Sequence, residues 1–325
     1  MRRVNQAAGS MVGVLDVGAF SARLVVVPRG GSPLEPALTH KTRLRLDRAL
    51  DSSGRLGPEG VRTVVEGVRN ANNVAEAHGV HGVFPFATSS IRDARNAREV
   101  LATVRAATGT ELRTLSGTCE AELSYLAARR WYGAAAGPLL VLDIGGGTVE
   151  LAAGTGERAE FARSLKLGAR EMTRTWLDTE RPSELRLAAL REHALERVRD
   201  ALGEDEQLLR GYRTVGCSKV LRQLARLAGA RPQREAPTSS RDLHLDELRR
   251  QIPRLATLPP NRRAELPGIS RSRAQQAVAG AVVAEALLTV FGGPAAICPW
   301  STTQGLLLAL MEQPDLSVTT SGWAA

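Results

Sequence analysis

Short apolar runs interrupted by glycine occur twice along the chain in the same arrangement. Residues 14–18 (VLDVG) recur as residues 141–145 (VLDIG), and Ser21 in the first copy aligns with Thr148 in the second. Each copy has an apolar run, an aspartate, a glycine-bearing turn, a hydroxyl residue and a second apolar run. Continuous apolar runs joined by a glycine turn are typical of buried strands in a tight hairpin. The sequence therefore predicts two β-hairpins and a duplicated domain.

Helical and strand patterns alternate around these hairpins. Between the copies, the pattern predicts a helix after Pro58, a strand at 83–87, a helix capped by Asn96 and Glu99, a strand at 112–115 and a helix at 120–131. After the second copy it predicts helices at 187–203, 220–227 and 277–291, and one short helix among loops between 230 and 260. This alternation indicates an α/β protein with two similar lobes.

We place the lobe boundary in the glycine-rich segment 133–137. The predicted domains are an N-terminal lobe over 11–135 with the first loop, and a C-terminal lobe over 136–311 with the Gly-rich loop. Although the last helix is counted with the C-terminal lobe, this division allows it to pack back on the first lobe. Residues 1–10 and 312–325 are expected to be disordered.

Composition narrows the class of protein further. The 325 residues are 43% hydrophobic and 24% charged, as in an ordinary soluble globular protein. The net charge is +9, but no basic run is interleaved with aromatic residues, so nucleic acid is not the expected partner. Three widely separated cysteines and the lack of a signal peptide or membrane-spanning segment indicate a cytoplasmic protein with reduced thiols.

The second glycine turn has the chemistry of a phosphate-binding loop. Gly145, Gly146 and Gly147 let backbone N–H groups approach a phosphate closely, and Thr148 adds a hydroxyl donor. Asp143 before the turn is a residue type that can hold hydrated Mg²⁺. Glycines used only to turn the hairpin are the alternative, which the flanking acids Asp143 and Glu150 disfavour.

Several further motifs follow one another in a recognisable order. They are GVLDVG at 13–18, ATSSIRDARN at 87–96, SGTCEA at 116–121, DIGGGTVE at 143–150, SLKLG at 164–168, GCSK at 216–219, PGI at 267–269 with Arg273 and the GA pair at 280–281, and ICPW at 297–300. Together they resemble the exopolyphosphatase/guanosine pentaphosphate phosphatase (Ppx/GppA) family over residues 12–310. The chain is similar to the short, two-domain actinobacterial form of that family.

The resemblance implies an actin-like fold, with two ribonuclease-H-like lobes flanking a phosphate cleft. It also implies hydrolysis of a terminal phosphoanhydride with Mg²⁺ or Mn²⁺ as cofactor. Carried over by motif, Glu120 is the general base for the attacking water, and Glu150 and Asp143 are catalytic residues that hold metal or orient that water. The implied metal ligands are Asp16, Asp143 and Glu150. The implied phosphate-binding residues are Arg92, Gly18, Phe20, Ser21, Gly145, Gly146, Gly147 and Thr148.

The first loop departs from the family pattern. The family has Ser-Asn after the glycine, where this chain has Ala19 and Phe20, and it often has Arg-Glu-Gly where this chain has residues 303–305 (TQG). Two polar phosphate contacts are therefore missing. Phe20 either stacks on a base or sugar of a nucleotide-like substrate, or simply fills the turn.

These observations favour a phosphatase acting on inorganic polyphosphate or a guanosine alarmone. A phosphatase for a nucleotide or nucleoside phosphate is the first alternative, because the first loop is altered. A non-catalytic nucleotide or alarmone sensor is the second, and a sugar kinase or ATPase of the wider actin-like superfamily is the third. The expected partner is a phosphorylated polyanion or a small-molecule phosphate, without membrane association, and a homodimer is compatible with the sequence.

Overall fold

The computed structural model describes residues 11–46, 49–51, 53–177, 179–233, 235 and 239–312. The chain divides into two compact units. The first contains the chain up to Ser116 and the residues from Leu306 onward, and the second runs from Gly117 to Gly305.

The first unit is a five-stranded sheet with helices. Its elements are β1 (Met11–Val17), β2 (Ser21–Pro28), β3 (Leu38–Arg43), α1 (Pro58–Ala77), β4 (Val83–Ala87), α2 (Ser89–Arg92), α3 (Ala97–Thr108) and β5 (Arg113–Thr114). The strand order is β3-β2-β1-β4-β5, with β1 antiparallel to β2 and parallel to β4. An apolar core lies between this sheet and helices α1 and α3.

The second unit repeats this arrangement with additions. Its elements are α4 (Gly117–Tyr132), β6 (Leu139–Ile144), β7 (Val149–Gly154), β8 (Phe161–Leu165), α5 (Ala169–Trp176), α6 (Glu184–Leu202), α7 (Glu206–Leu209), β9 (Arg213–Gly216), α8 (Lys219–Leu227), β10 (Asp242–Leu243), α9 (Leu245–Thr257), α10 (Pro260–Arg263), α11 (Ala277–Phe291) and β11 (Ala295–Ile297). A last helix, α12 (Thr302–Glu312), begins in this unit and ends in the first.

The two sheets share one topology. The second has the order β10-β11-β9-β6-β7-β8, so removing the edge strand β10 leaves the order of the first sheet. In both, a hairpin of two antiparallel strands is extended by a third antiparallel strand on one side and by parallel strands on the other. The predicted hairpins, the duplication and the α/β fold of two ribonuclease-H-like lobes are confirmed.

The unit boundary falls earlier than the glycine-rich segment at 133–137. Helix α4 belongs to the second unit because it packs on β6, β7 and β8, and a division at 135/136 would separate it from that sheet. The residues of α12 from Leu306 belong to the first unit, where Arg29 Nη1 donates to the carbonyl oxygens of Leu310 at 3.4 Å and Met311 at 3.2 Å.

Local sequence signals account for several helix ends. Ser218 caps α8, its Oγ accepting from the Leu221 amide at 3.0 Å, and α6 stops at Gly203, whose φ is +51°. Asn96 is a correction to the expected capping box. Its side chain makes no capping bond and instead bonds both the amide and the carbonyl of Leu56, at 2.8 and 2.9 Å.

The core of the second unit surrounds α11, which is buried over almost its whole length. Among the described residues, no helix has the length and apolarity needed to cross a lipid bilayer. The segment 230–260 holds a full helix, α9, of 13 residues rather than the short helix expected. The expected disorder of 1–10 and of 313–325 concerns residues outside the described part, whereas Glu312 ends α12.

Candidate active site

Three polar side chains form a row across the second sheet. Asp143 on β6 is paired with Glu150 on β7, and Glu150 is paired with Ser164 on β8. Directly opposed residues of antiparallel strands point to the same face, so this row lies on one face of the sheet. The Ser164 hydroxyl donates to Glu150 Oε1 at 3.0 Å.

Helix α4 covers that face. The Ser124 hydroxyl donates to Asp143 Oδ2 at 3.1 Å and lies 3.0 Å from Thr302 Oγ1. Glu120 precedes Ser124 by four residues and therefore lies on the same side of the helix. Glu120 is 8% exposed, whereas Glu122, two positions further on, is exposed. The helix thus turns Glu120 toward the side on which Asp143 is held.

Glu150 lies between the start of α4 and the Gly-rich turn. Built Cβ atoms on Gly117 and Gly145 would lie 3.8 Å from Glu150 Oε1 and Oε2 respectively. The residue is only 4% exposed. These are ordinary van der Waals distances, so the Glu150 carboxylate packs directly beside both glycines.

The charge of Asp143 is held in surroundings that disfavour it. Burial raises the pKa of the Asp143 carboxyl above its usual value, against the opposing effects of the Ser124 hydrogen bond and the charges of Arg222 and Arg273. Some of the residue remains accessible to solvent. A ligand that brings positive charge would stabilise the ionised form of Asp143.

The Gly-rich turn is fixed through its carbonyl groups. The carbonyls of Gly145, Gly146 and Gly147 accept from the amides of residues 168–171 at the start of α5, over 3.0–3.1 Å. The Gly145 amide donates to the Thr148 carbonyl at 2.9 Å. Among the described residues, the amides of Gly146, Gly147 and Thr148 have no backbone acceptor. Consecutive N–H groups of this kind form an anion-binding concavity.

Close packing against α5 makes this arrangement possible. A Cβ on Gly168 would lie 2.3–2.5 Å from backbone atoms of Gly146, Gly147 and Thr148, so only glycine fits there. The first turn of α5 places Arg170 over the same loop, with its Nη1 3.3 Å from a Cβ built on Gly146. A guanidinium beside the loop adds positive charge at the anion-binding concavity.

The corresponding row of the first unit combines one acid with two cations. Asp16 on β1 is paired with Arg23 on β2, and Arg23 is paired with Lys41 on β3, so cations occupy the positions of Glu150 and Ser164. The acidic row is therefore confined to the second unit.

The turn between β1 and β2 holds three of the predicted phosphate-binding residues, Gly18, Phe20 and Ser21. The Gly18 amide donates to the Ser21 carbonyl at 3.0 Å. The carbonyls of Ala19 and Phe20 accept from the amides of Leu46 and Leu44 at 2.7 and 3.0 Å. Phe20 is partly buried, which agrees with either interpretation of its ring.

Arg92 is held in place within the first unit. Its Nε and Nη2 donate to the two carboxylate oxygens of Asp93 at 2.8 and 3.2 Å, and its Nη1 donates to the Leu115 carbonyl at 2.8 Å. The side chain of Arg92 is 12% exposed. Asp93 is thus the partner that orients this arginine, a role the sequence did not reveal.

The cysteines are spacers. All three are free and buried, and burial raises the pKa of the Cys119 thiol to about 12. A thiol with so high a pKa is not a nucleophile at neutral pH.

The implied Mg²⁺ matches the donors available. The described residues contain no group of three or more His, Cys, Asp or Glu side chains arranged to hold a metal alone. Mg²⁺ usually keeps several waters and binds through one or two carboxylates together with substrate phosphates. Asp143 and Glu150 are donors of that kind, and burial of Asp143 favours a cation beside it. The ligand set of Asp16, Asp143 and Glu150 stays a prediction.

The predicted site residues are divided between the two units. Glu120, Asp143, Glu150 and the Gly-rich turn belong to the second unit, while Asp16, Gly18, Phe20, Ser21 and Arg92 belong to the first. The sequence analysis missed Ser124, Ser164, Arg170 and Asp93. Ser164 is the first residue of the SLKLG motif, and Ser124 lies one helical turn after Glu120, so the sequence offered a reason to consider both. Nothing in the sequence pointed to Arg170.

One sequence relative and two solved structures resemble this chain. Exopolyphosphatase 1 of Mycobacterium tuberculosis (strain ATCC 25618 / H37Rv) is 40% identical over 304 residues, covering 93% of this chain and 88% of that protein. A crystal structure of an exopolyphosphatase from Cytophaga hutchinsonii has a TM-score of 0.79 at 18% identity, covering 93% of this chain and 98% of that one. The Aquifex aeolicus member of the Ppx/GppA protein family has a TM-score of 0.74 at 21% identity, covering 94% and 99%.

At 18% and 21% identity, the two solved structures show that this chain has the same fold. The mycobacterial relative, at 40% identity, shows that the two sequences are related. The model of the Ppx/GppA phosphatase family matches residues 24–313, which include the acidic row, α4 and the Gly-rich turn. This chain belongs to the Ppx/GppA phosphatase family.

Proposed function

We propose that this phosphoanhydride hydrolase releases the terminal phosphate of inorganic polyphosphate in a Mg²⁺-dependent reaction. One observation carries the proposal: buried Glu120 lies one helical turn before Ser124, which bonds Asp143 of the acidic row. The Gly-rich turn that joins the strands of Asp143 and Glu150 has three amides without a backbone acceptor among the described residues. The name of the mycobacterial relative, exopolyphosphatase 1, supports polyphosphate as the substrate.

The Gly-rich turn binds the terminal phosphoryl group in this mechanism. The amides of Gly146, Gly147 and Thr148 donate to its oxygens, and the Arg170 guanidinium adds charge. Such donors stabilise the charge that develops on the equatorial oxygens during in-line displacement. Because α5 already fixes the turn, little reorganisation accompanies binding.

Glu120 activates the attacking water. Its carboxylate accepts a proton from the water, whose oxygen forms the new bond to phosphorus while the bond to the bridging oxygen breaks. The bridging oxygen leaves with the shortened chain. Asp143 and Glu150, oriented by Ser124 and Ser164, orient the water and would hold Mg²⁺. When bound, Mg²⁺ would neutralise charge on the phosphate oxygens.

A nucleotide-like substrate, including a guanosine alarmone, is the second candidate. Phe20 favours it, because an aromatic ring stands where the family has an amide that contacts phosphate.

The test is phosphate release from the purified protein with a panel of substrates. The panel contains long-chain polyphosphate, tripolyphosphate, guanosine tetra- and pentaphosphate, and nucleoside mono- to triphosphates, each with Mg²⁺ or with excess EDTA. We expect the highest kcat/KM with long-chain polyphosphate and loss of turnover in EDTA. A higher kcat/KM with a nucleotide would favour the second candidate, and full activity in EDTA would refute the metal requirement.

A further inference from the structure

The start of α12, residues 301–305, contains one of the departures from the family pattern. Gln304 stands where the family often has a glutamate, while Gly305 is kept. Gln304 Oε1 accepts from the Ser301 amide at 3.1 Å, and the Ser301 carbonyl accepts from the Gln304 amide at 2.9 Å. A side chain at the third helical position that reaches back to the amide of the capping residue is half of a capping box. Glutamine in place of glutamate therefore preserves the start of α12.

Gly305 brings this helix start against α4. A Cβ built on Gly305 would overlap the backbone carbonyl of Leu123, which cannot move aside as the end of a flexible side chain can. Only glycine allows two backbones to approach so closely. Leu123 is the residue before Ser124, and Thr302 lies one helical turn before Gly305. The contact therefore fixes the position of Thr302 relative to Ser124.

The hydroxyl groups of Thr302 and Ser124 form a hydrogen-bonded chain that ends on Asp143. Ser124 Oγ lies 3.0 Å from Thr302 Oγ1 and donates to Asp143 Oδ2 at 3.1 Å. A hydroxyl carries a single proton. Because Ser124 gives its proton to Asp143, the donor in the bond between the two hydroxyls is Thr302. Both O–H dipoles then point toward the carboxylate, and hydrogen bonds in series strengthen one another.

The bond from Thr302 restricts how Ser124 can turn. A serine side chain has three staggered rotamers, and its hydroxyl proton rotates to suit its partners. Ser124 is 1% exposed, so little water reaches it to replace a lost partner. Accepting from Thr302 on one side leaves the Ser124 proton directed at Asp143 on the other.

We infer that Thr302 is a positioning residue for the hydrolysis, because it holds Ser124 in the orientation that fixes the Asp143 carboxylate in the acidic row. The inference rests on the proposed function, in which Asp143 orients the attacking water and would hold Mg²⁺. Thr302 itself acts only through Ser124.

The experiment is a double-mutant cycle in the full-length protein with T302V, S124A and the double variant. Valine has the shape of threonine and lacks the hydroxyl, whereas T302S keeps the hydroxyl and is the rescue variant. The matched control is T257V, which removes an exposed hydroxyl that bonds the Arg254 carbonyl within its own helix at 3.1 Å. Steady-state kcat and KM are measured with long-chain polyphosphate, and the crystal structure of T302V is determined.

We expect T302V to lower kcat about five- to tenfold, which is the size of effect that one neutral hydrogen bond has. KM should stay within about twofold, because Asp143 acts on the reacting groups rather than on the rest of the substrate. T302S and T257V should keep kcat within about twofold of the wild type. In the S124A background, T302V should change kcat by less than about twofold. In the crystal structure of T302V, Ser124 should turn away from Asp143.

Wild-type kcat in T302V, or an equal loss of kcat in T302V and T302S, would overturn the inference. So would a loss in T302V that is the same with and without the Ser124 hydroxyl, because the two residues would then act separately. If the wild type releases no phosphate from polyphosphate, the proposed function fails, and the cycle is measured with whichever substrate of the panel is hydrolysed. Whatever the substrate, a Ser124 that keeps its bond to Asp143 in the T302V crystal would refute the positioning role of Thr302.

Discussion

At the scale of single residues, two acids of the second unit, Glu120 and Asp143, differ in what surrounds them. Glu120 lies in the first turn of α4, where the helix dipole favours negative charge. Asp143 lies on a strand, where burial outweighs the Ser124 hydrogen bond and nearby arginines. The start of α4 is thus a favourable position for an acid, and the surroundings of Asp143 favour a cation beside its carboxylate.

Replacing Glu120 with glutamine should lower kcat by roughly 10²–10⁴-fold, because that is the usual contribution of a positioned general base. Circular dichroism should show an unchanged fold, since the amide preserves the shape of the side chain. The matched control is E122Q, which changes an exposed glutamate on the same helix and should leave kcat within twofold. If the two variants lose activity equally, Glu120 is not the base.

Replacing Asp143 with asparagine should change how stability depends on pH. Burial raises the Asp143 pKa, so the folded chain binds this proton more tightly than the unfolded chain does. The stabilisation of the protonated form is complete below the unfolded pKa, near 3.8, and is lost as pH rises through the raised folded pKa.

In metal-free buffer, D143N should therefore have a higher Tm than the wild type at pH 7. The difference should shrink as the pH is lowered toward 4, as measured by calorimetry. D200N, which neutralises an exposed aspartate, is the control. A difference between D143N and wild type that stays constant over this pH range would contradict the prediction.

At the scale of elements, the contact between α5 and the Gly-rich turn controls the phosphate-binding amides. A G168A substitution would place a methyl group within 2.5 Å of loop backbone atoms, which cannot move aside as a side-chain end can. We expect destabilisation by about 1–3 kcal/mol in urea unfolding and a loss of at least tenfold in kcat/KM.

The control for G168A is G156A, at a position where a Cβ would meet no atom within 4 Å. It should change neither the unfolding midpoint nor kcat/KM appreciably. Wild-type activity in G168A would show that the turn does not depend on its close contact with α5.

The elements themselves were largely predictable, because periodicity is a local signal. The hairpins, α1, α6, α8 and α11 follow from apolar patterns and end residues such as Gly203. The role of Asn96 could not be predicted in the same way, because its partner Leu56 lies 40 residues away in sequence. The same reason hid the contact of Arg170 with the Gly-rich turn, because Arg170 lies beyond β7 and β8 in the sequence.

At the scale of the whole molecule, the unit boundary decides which fragments can fold. A fragment of residues 117–305 keeps α4 on its sheet and should unfold cooperatively in urea. A fragment of residues 136–305 lacks α4, which exposes the face carrying Asp143 and Glu150, and should unfold without a cooperative transition. Equal cooperativity of the two fragments would show that α4 is dispensable for this unit.

The first unit is discontinuous, since Arg29 near its start bonds carbonyls of Leu310 and Met311, at a separation of up to 282 residues. During synthesis on a ribosome, all residues of the second unit are available before those that finish the first. The half of the protein that is made first is therefore completed last. A nascent chain released before residue 306 would carry a finished second unit and an unfinished first one.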